Sequence, residues 1–191
     1  QSIVETSSTK DVVELPEVKP GSSIEYRSLF IPETVAIDTF ATAWKTFETV
    51  IPEEYKYDSS SWTVLAASDE SADHGGRVAL LDGDLSTFWH SRWKDPVPGY
   101  PHWVAVDMGT EHIISSFVCY RRPDDNRGQT KNRFWTSMDG VNWVDQGEFA
   151  FNPDTNDGQT FPMNNYPTAR YFKYEATQGP NAWAFLAEIE A

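Results

Sequence analysis

Apolar residues along this chain recur in short runs, separated by turn-forming residues at roughly ten-residue spacing. Strands with one buried face give this pattern, because successive side chains of a strand point to opposite faces. The pattern predicts an all-β fold from residue 62 onward, and Asp139-Gly140 predicts a hairpin turn within it. The predicted strands are Trp62–Ala67, His102–Met108, His112–Arg121, Arg133–Met138, Trp143–Phe149, Ala169–Ala176 and Ala184–Ile189.

The first 57 residues follow a different pattern. Val12–Leu15 and Ile24–Ile31 are strand-like, with prolines between them. The next apolar residues recur at spacings of three and four, which indicates a short amphipathic helix, although the Thr-rich context also permits strands. These residues are Ile37, Phe40, Trp44 and Phe47. We therefore expect residues 1–57 to be an N-terminal extension or the end of a preceding β-domain, and residues 58–191 to be the main domain.

Composition narrows the classes of partner. The 191 residues carry 29 acidic and 15 basic side chains, a net charge of −14. Nucleic acids and anionic membranes are therefore excluded as expected partners, because phosphate recognition needs clustered Lys and Arg. The 8 Trp, 8 Tyr and 11 Phe suit a β-rich protein that binds planar ligand surfaces. The sequence has no membrane-length apolar run, so this chain is not expected to insert into membranes. Without a signal peptide or an initiator Met, it is expected to be a piece of a longer protein.

Residues 81–93 concentrate candidate chemistry. Asp82, Asp84 and Thr87 lie at i, i+2 and i+5 around Gly83, so their oxygens can converge on a hard cation such as calcium. The alternative is an Asx-turn with solvated carboxylates, which Asp-Gly-Asp sequences also form. An EF-hand pattern and a His/Cys cluster are both missing from the sequence, which argues against an EF-hand and against zinc or copper. The one cysteine, Cys119, lies in an apolar run and is expected to be buried.

Five blocks of sequence occur in an order that resembles a known family. They are Ser61–Val64, Leu81–Trp93, Pro101–Gly109, Ser137–Trp143 and Ala187–Ile189. Together they resemble discoidin-type domains, also called coagulation factor V/VIII C-type domains, and among these the family 32 carbohydrate-binding modules. The resemblance covers about residues 60–191 and implies a jelly-roll β-sandwich of the galactose-binding-like type.

The resemblance also implies a structural calcium ion. Carried over position by position, the side-chain ligands would be Asp82, Thr87 and Glu188. Backbone carbonyls would complete the shell, and they would come from Ala79, Asp84, Thr87 and Ala187. Such an ion would connect the C-terminal strand to an early loop.

Sugar-binding members of the family hold their ligand in loops at one end of the sandwich. An indole can stack on the apolar face of a pyranose, while Arg, amide and imidazole groups hydrogen-bond its hydroxyls. Arg121 is the alternative to Arg122 as the arginine that binds the sugar. Pro123, which follows both arginines, departs from the galactose-binding pattern. Structural packing is the alternative for His90, Trp93 and Trp183, and Trp89, Trp103 and Trp143 are expected to pack in the core or on strands. The positions of this chain that match the sugar-binding residues of the family are His90, Trp93, Arg122, Asn126 and Trp183.

The sequence thus predicts a non-catalytic carbohydrate-binding module that targets a larger glycan-processing or glycan-capturing protein. Nucleophile-elbow, zinc-protease and phosphate-loop motifs are missing from the sequence, so we expect no enzyme activity in this chain. The expected partner is a glycan ending in a galactose- or N-acetylhexosamine-type sugar, bound by a monomer. The resemblance implies an extracellular, cell-surface or periplasmic location. A discoidin-like protein or cell-surface adhesion domain is the alternative, and a structural spacer is a third.

Overall fold

The computed structural model describes the backbone of residues 23–26, 29–30, 40–41 and 45–48, and the complete residues 56–73 and 76–191. The chain divides into two compact units, Gln1–Tyr55 and Lys56–Ala191. Within the described residues, no helix is both long enough and apolar enough to cross a bilayer.

The first unit contains two short antiparallel strand pairs among its described residues. Strand β1 pairs with β4, and β2 pairs with β3. Phe40 and Phe47 lie on strands, so the predicted helix is wrong at these positions: Thr and aromatic residues favour strands, and pairing satisfies the backbone. Ile37, Trp44 and Val12–Leu15 lie outside the described residues. The strands are β1 (Ser23–Tyr26), β2 (Leu29–Phe30), β3 (Phe40–Ala41) and β4 (Lys45–Glu48).

The second unit is an antiparallel β-sandwich, which confirms the predicted fold. Five strands form one sheet in the order β10-β9-β12-β7-β5, three form another in the order β11-β8-β14, and β6 pairs with β13. The second unit also contains two 3₁₀ turns, Ser59–Ser61 and Arg77–Leu81. The strands are β5 (Thr63–Ala67), β6 (Trp89–His90), β7 (His102–Ile113), β8 (Ser116–Tyr120), β9 (Lys131–Ser137), β10 (Val144–Ala150), β11 (Gln159–Pro162), β12 (Thr168–Gln178), β13 (Phe185–Leu186) and β14 (Glu188–Glu190).

Each of the seven strands predicted in this region coincides with an observed strand or pair of strands. The predicted strand His112–Arg121 is interrupted, because β7 ends at Ile113 and β8 begins at Ser116. The Asp139-Gly140 hairpin is confirmed: Gly140 has a φ of 71°, and the Asp139 carboxylate accepts the N–H groups of Val141 and Asn142. These two hydrogen bonds hold the pKa of Asp139 well below its usual range.

Stacked phenylalanines join the two large sheets. Phe117 on β8 lies 4.7 Å from the Phe134 ring on β9 and 4.9 Å from the Phe172 ring on β12, measured between ring centroids. All three side chains are completely buried. Cys119, two residues along β8, is also buried as predicted, and this burial raises the pKa of its thiol.

We predict that Phe117→Ala lowers the free energy of unfolding by about 3–5 kcal/mol, because it leaves a cavity between the two sheets. Val141→Ala is the control: this side chain is 77% exposed, and its loss should change stability by less than about 0.5 kcal/mol. Urea unfolding followed by tryptophan fluorescence measures both. Equal midpoints for the two variants would contradict the proposed position of the core.

Candidate functional site

An acidic turn between the second 3₁₀ turn and β6 is built by its own side chains. Asp82 Oδ1 accepts the N–H of Asp84 at 2.9 Å, and Thr87 Oγ1 lies 2.7 Å from Asp82 Oδ2. The Asp84 carboxylate instead accepts the N–H and hydroxyl of Ser86. Gly83 has a φ of 73°, which a residue with a Cβ adopts only at a cost. Asp82 and Thr87 thus face each other across the turn, while the Asp84 carboxylate is committed to Ser86.

Glu188 brings a second carboxylate to this turn from the C-terminal strand β14. Its side chain is only 3% exposed, and its Oε2 accepts the Gly83 N–H at 2.9 Å. Burial, with a further contribution from the negative charge of Asp82, raises the pKa of Glu188 to about 7. The ladder to Tyr120 on β8 holds β14 in place, because Ala187 donates its N–H to the Tyr120 carbonyl.

The oxygen atoms around this turn suit a hard cation. Asp82 and Glu188 supply carboxylates, and Thr87 supplies a hydroxyl. The described residues contain no group of three or more His, Cys, Asp or Glu side chains arranged for a metal, so further ligands would have to be backbone carbonyls. A cation between two carboxylates removes the cost of burying Glu188 as an anion. Asp82, Thr87 and Glu188, the three side-chain ligands expected from the sequence, thus lie around one turn, and calcium at this turn stays a prediction.

The strand pair β6–β13 connects the acidic turn to a cluster of rings. His90 pairs with Phe185 and Trp89 pairs with Leu186. Past this ladder, Ser91 donates its N–H to the Ala184 carbonyl. Trp89 is completely buried, as expected for core packing. Strand alternation then directs the side chain of His90 away from that of Trp89.

Phe88, His90 and Trp93 form the aromatic cluster together with Phe185. The His90 ring centroid lies 5.4 Å from that of Phe185 and 6.4 Å from those of Phe88 and Trp93. His90 is buried, at 3% exposure, whereas Trp93 is 36% exposed. Phe88 is partly buried, and the guanidinium of Arg122 lies over its ring.

The two adjacent arginines after β8 have different roles. Arg121 donates to three backbone carbonyls, those of Thr155, Arg122 and Asp125, at 2.8–2.9 Å. The guanidinium of Arg122 lies 4.2 Å from the centroid of the Phe88 ring, and its buried Nε has no hydrogen-bond acceptor among the described residues. Arg121 therefore holds the loop in place. Arg122 belongs to the aromatic cluster, and its Nε–H is a hydrogen-bond donor without an acceptor among the described residues.

Asn126 lies on a different part of this loop. Its amide donates to Asp154 at 3.0 Å, and it lines an open polar depression of about 200 Å³ that Arg121 also lines. Arg122 thus contacts the aromatic cluster through Phe88 and Phe185, whereas the Asn126 amide contacts Asp154, and its part in sugar binding stays a prediction.

Trp183 lies in the late loop, whose backbone is tightly held. Tyr100 donates its hydroxyl to the Trp183 carbonyl at 2.6 Å, and His102 Nε2 lies 2.9 Å from the Ala182 carbonyl. The indole is half-buried. Among the described residues, no ring contact joins Trp183 to His90 or Trp93, so its place at the same site stays a prediction.

A buried Asp–His pair, which sequence reasoning missed, joins the first long loop to this late loop. Asp69 Oδ2 lies 2.9 Å from Nδ1 of the completely buried His102. Burial alone would raise the pKa of Asp69. Hydrogen bonds from His102, the Arg92 N–H and the Ser68 hydroxyl outweigh burial and hold this pKa below its usual range. The partners are 33 residues apart in sequence, and no local pattern indicates their contact.

Comparisons with known proteins agree on one family. The F5/8 type C domain model matches residues 64–189. A sialidase from Micromonospora viridifaciens is 34% identical over 131 residues, which cover 64% of this chain and 20% of the sialidase. The chain thus spans about a fifth of the length of that relative.

Solved structures agree with this assignment. The C-terminal domain of a chitobiase from Bacteroides fragilis is 28% identical, with a TM-score of 0.65 over 71% of this chain and 95% of that domain. The family 32 carbohydrate-binding module of Clostridium perfringens NanJ, solved with galactose, is 24% identical, with a TM-score of 0.63 over 71% of this chain and 96% of that module. At this identity the second comparison supports the fold alone.

We predict that Arg121→Ala lowers the free energy of unfolding by about 2–3 kcal/mol, because three carbonyls lose a charged donor. Arg122→Ala is the matched control next to it. It removes a cation–π contact and an unpaired Nε, so it should cost less than about 1 kcal/mol. Chemical denaturation distinguishes the two, and the reverse order of stabilities would contradict the assigned roles.

Proposed function

This chain belongs to the F5/8 type C domain family, and we propose that residues 58–191 form a non-catalytic carbohydrate-binding module. Its task would be to bring a larger glycan-processing or glycan-capturing protein to its substrate. One observation supports this most directly. A partly exposed indole, that of Trp93, lies beside His90, and Arg122 with its unpartnered Nε lies over Phe88 in the same cluster.

The chemistry of this cluster matches that of a sugar ring. The apolar face of a pyranose can stack on the exposed part of the Trp93 indole, as C–H groups do on aromatic rings, beside Lys94, whose Nζ lies 4.9 Å from the ring centroid. Arg122 presents a rigid fork of donors, which can distinguish hydroxyl groups by their direction. Because Phe88 supports the guanidinium from below, the fork loses little freedom on binding.

We propose a terminal galactose- or N-acetylhexosamine-type sugar as the ligand. The NanJ module, which shares this fold, was solved with galactose. The net charge of −14 disfavours a phosphate-rich partner but does not penalise a neutral sugar. A shallow site for one sugar gives a Kd on the order of 0.1–1 mM. The relationship to a sialidase supports a glycan-processing parent protein acting outside the cytoplasm.

We further propose that the acidic turn holds a structural calcium ion. Its ligands would be Asp82, Thr87 and Glu188 with the carbonyls of Ala79, Asp84, Thr87 and Ala187. The ion would compensate the negative charges of Asp82 and Glu188 and connect the acidic turn to the C-terminal strand β14. It would take no part in any reaction. The buried Glu188 carboxylate, with its raised pKa beside Asp82, supports this proposal.

For the sugar site, we predict that Trp93→Ala and Arg122→Ala each weaken binding of galactose or N-acetylgalactosamine at least tenfold. The first variant removes the stacking surface and the second removes the directed donors. Titration by two-dimensional NMR measures the Kd and shows that each variant is folded. Val78→Ala, at a 70% exposed position outside the cluster, should bind like the native protein.

A glycan array with the native protein separates this function from the alternative. If both variants bind as tightly as the native protein, the site assignment is wrong. If no glycan is retained but a protein ligand or intact cells are, the adhesion function replaces the proposed one. Trp183→Ala, titrated in parallel, decides whether the late loop contributes.

For the cation, we predict that calcium at one hundred times its Kd stabilises the native protein by about 2.7 kcal/mol, which raises Tm by several degrees. Asp82→Asn and Glu188→Gln should lose this increase, because each removes a carboxylate ligand. Asp84→Asn should keep most of it, because that carboxylate is bound to Ser86 and only the Asp84 carbonyl would reach the ion. Thermal melts with calcium, magnesium or chelator test this, and an unchanged native Tm would refute the ion.

A further inference from the structure

The outward side of the five-stranded sheet carries a row of aromatic side chains around one lysine. Lys173 on β12 is paired in register with Trp135 on β9. Its Nζ lies 4.6 Å from the centroid of Trp135, 5.4 Å from that of Trp143 and 5.9 Å from that of Trp103. These four residues belong to neighbouring strands or their ends, so the row crosses three strand spacings, about 14 Å.

This row lies on the side of the sheet that faces away from the core. Along β9 and β12, Phe134, Phe172 and Tyr174 are buried, while the residues alternating with them are partly exposed. Trp135 and Lys173 belong to this alternating set. Their side chains therefore contribute to a surface, and the row is not a part of the core.

The charges around the row leave Lys173 without a counter-ion. Arg133 pairs with Asp145 at 2.7 Å, and Lys131 pairs with Glu148 at 3.2 Å, so two nearby carboxylates are neutralised. Among the described residues, no carboxylate lies within ion-pair distance of Lys173. In a chain with a net charge of −14, an unpaired lysine enclosed by indoles is a local site that attracts an anion.

A second polar group in the row also lacks a partner. The indole Nε1–H of Trp135 is buried and has no hydrogen-bond acceptor among the described residues. Leaving such a donor unpaired costs free energy, and an incoming acceptor that reaches it when the flexible Lys173 side chain shifts would recover that cost. The row therefore combines a cation, an unsatisfied donor and flat apolar surfaces.

We propose that this row, defined by Trp103, Trp135, Trp143 and Lys173, is a second binding surface that takes a glycan bearing a carboxylate. The carboxylate would pair with Lys173, and sugar rings on either side of it would stack on the indoles. A neutral sugar would leave the lysine unpaired, and a small anion would leave the indoles unused, so the surface requires both features in one ligand.

This surface goes beyond the loop site and does not depend on it. It shares no residue with the cluster of Phe88, His90, Trp93, Arg122 and Phe185. A glycan chain could occupy it while a terminal sugar occupies the loop cluster.

The test compares two matched trisaccharides, trigalacturonic acid and neutral galactotriose, which differ in their carboxylates. The indole N–H signals of Trp103, Trp135 and Trp143 are followed by ¹⁵N NMR in the native protein and in Arg122→Ala. We expect trigalacturonic acid to shift these signals in both proteins with the same Kd, and galactotriose to leave them in place. Loss of galactose binding in Arg122→Ala with these shifts retained would separate the two surfaces.

Two variants with opposite effects test the role of charge. Lys173→Gln should weaken trigalacturonic acid binding at least fivefold. Glu175→Gln, which removes a negative charge two residues along the same face of β12, should strengthen it up to about twofold.

Three outcomes would overturn the proposal. One is that trigalacturonic acid shifts only the signals of Trp93 and Trp183. Another is that galactotriose shifts the three indoles as strongly as trigalacturonic acid does. The third is that affinity is insensitive to Lys173→Gln.

Discussion

The two-stranded ladder β6–β13 is the constraint on which both candidate sites depend. Strand β6 runs from the acidic turn into the aromatic cluster, since Thr87 precedes Phe88 to His90. The antiparallel β13 runs back from the cluster, since Phe185 precedes Ala187 and Glu188. The completely buried Trp89 fixes the register. Because side chains alternate along a strand, a slip by one residue would move Trp89 to the side of the aromatic cluster and His90 into the core. That cost holds the whole arrangement in one register.

This connection has an energetic consequence. A ligand that orders either end of the ladder stabilises the same backbone hydrogen bonds, including the one between Ser91 and Ala184. The buried Trp89 holds this ladder in turn, because its indole N–H donates to the Asp69 carbonyl at 3.3 Å and the Asp69 carboxylate pairs with the buried His102.

Local patterns in the sequence predicted most strands of the sandwich, the hairpin at Asp139 and the acidic turn, because each depends on residues close together in the chain. They could not assign the side chains that depend on pairing between distant strands. Arg121 and Arg122 were both candidates for the ligand-binding arginine, and only the fold shows that Arg121 is held by backbone carbonyls, one of them from Thr155, 34 residues away. The predicted helix failed because spacings of three and four among aromatic residues do not exclude short strands, as at Phe40 and Phe47.

Basic side chains without an ion pair are notable in a chain with this excess of acidic residues. With acidic residues in excess, a basic side chain on this surface normally finds a carboxylate, as Arg133 and Arg170 do. Among the described residues, Arg122 and Lys173 have no such ion pair, and both lie against aromatic rings instead. An aromatic face attracts a cation without neutralising it, so the charge stays available to a ligand while the ring limits its motion. The fold thus holds two cations without ion pairs in an acidic protein, each beside aromatic rings.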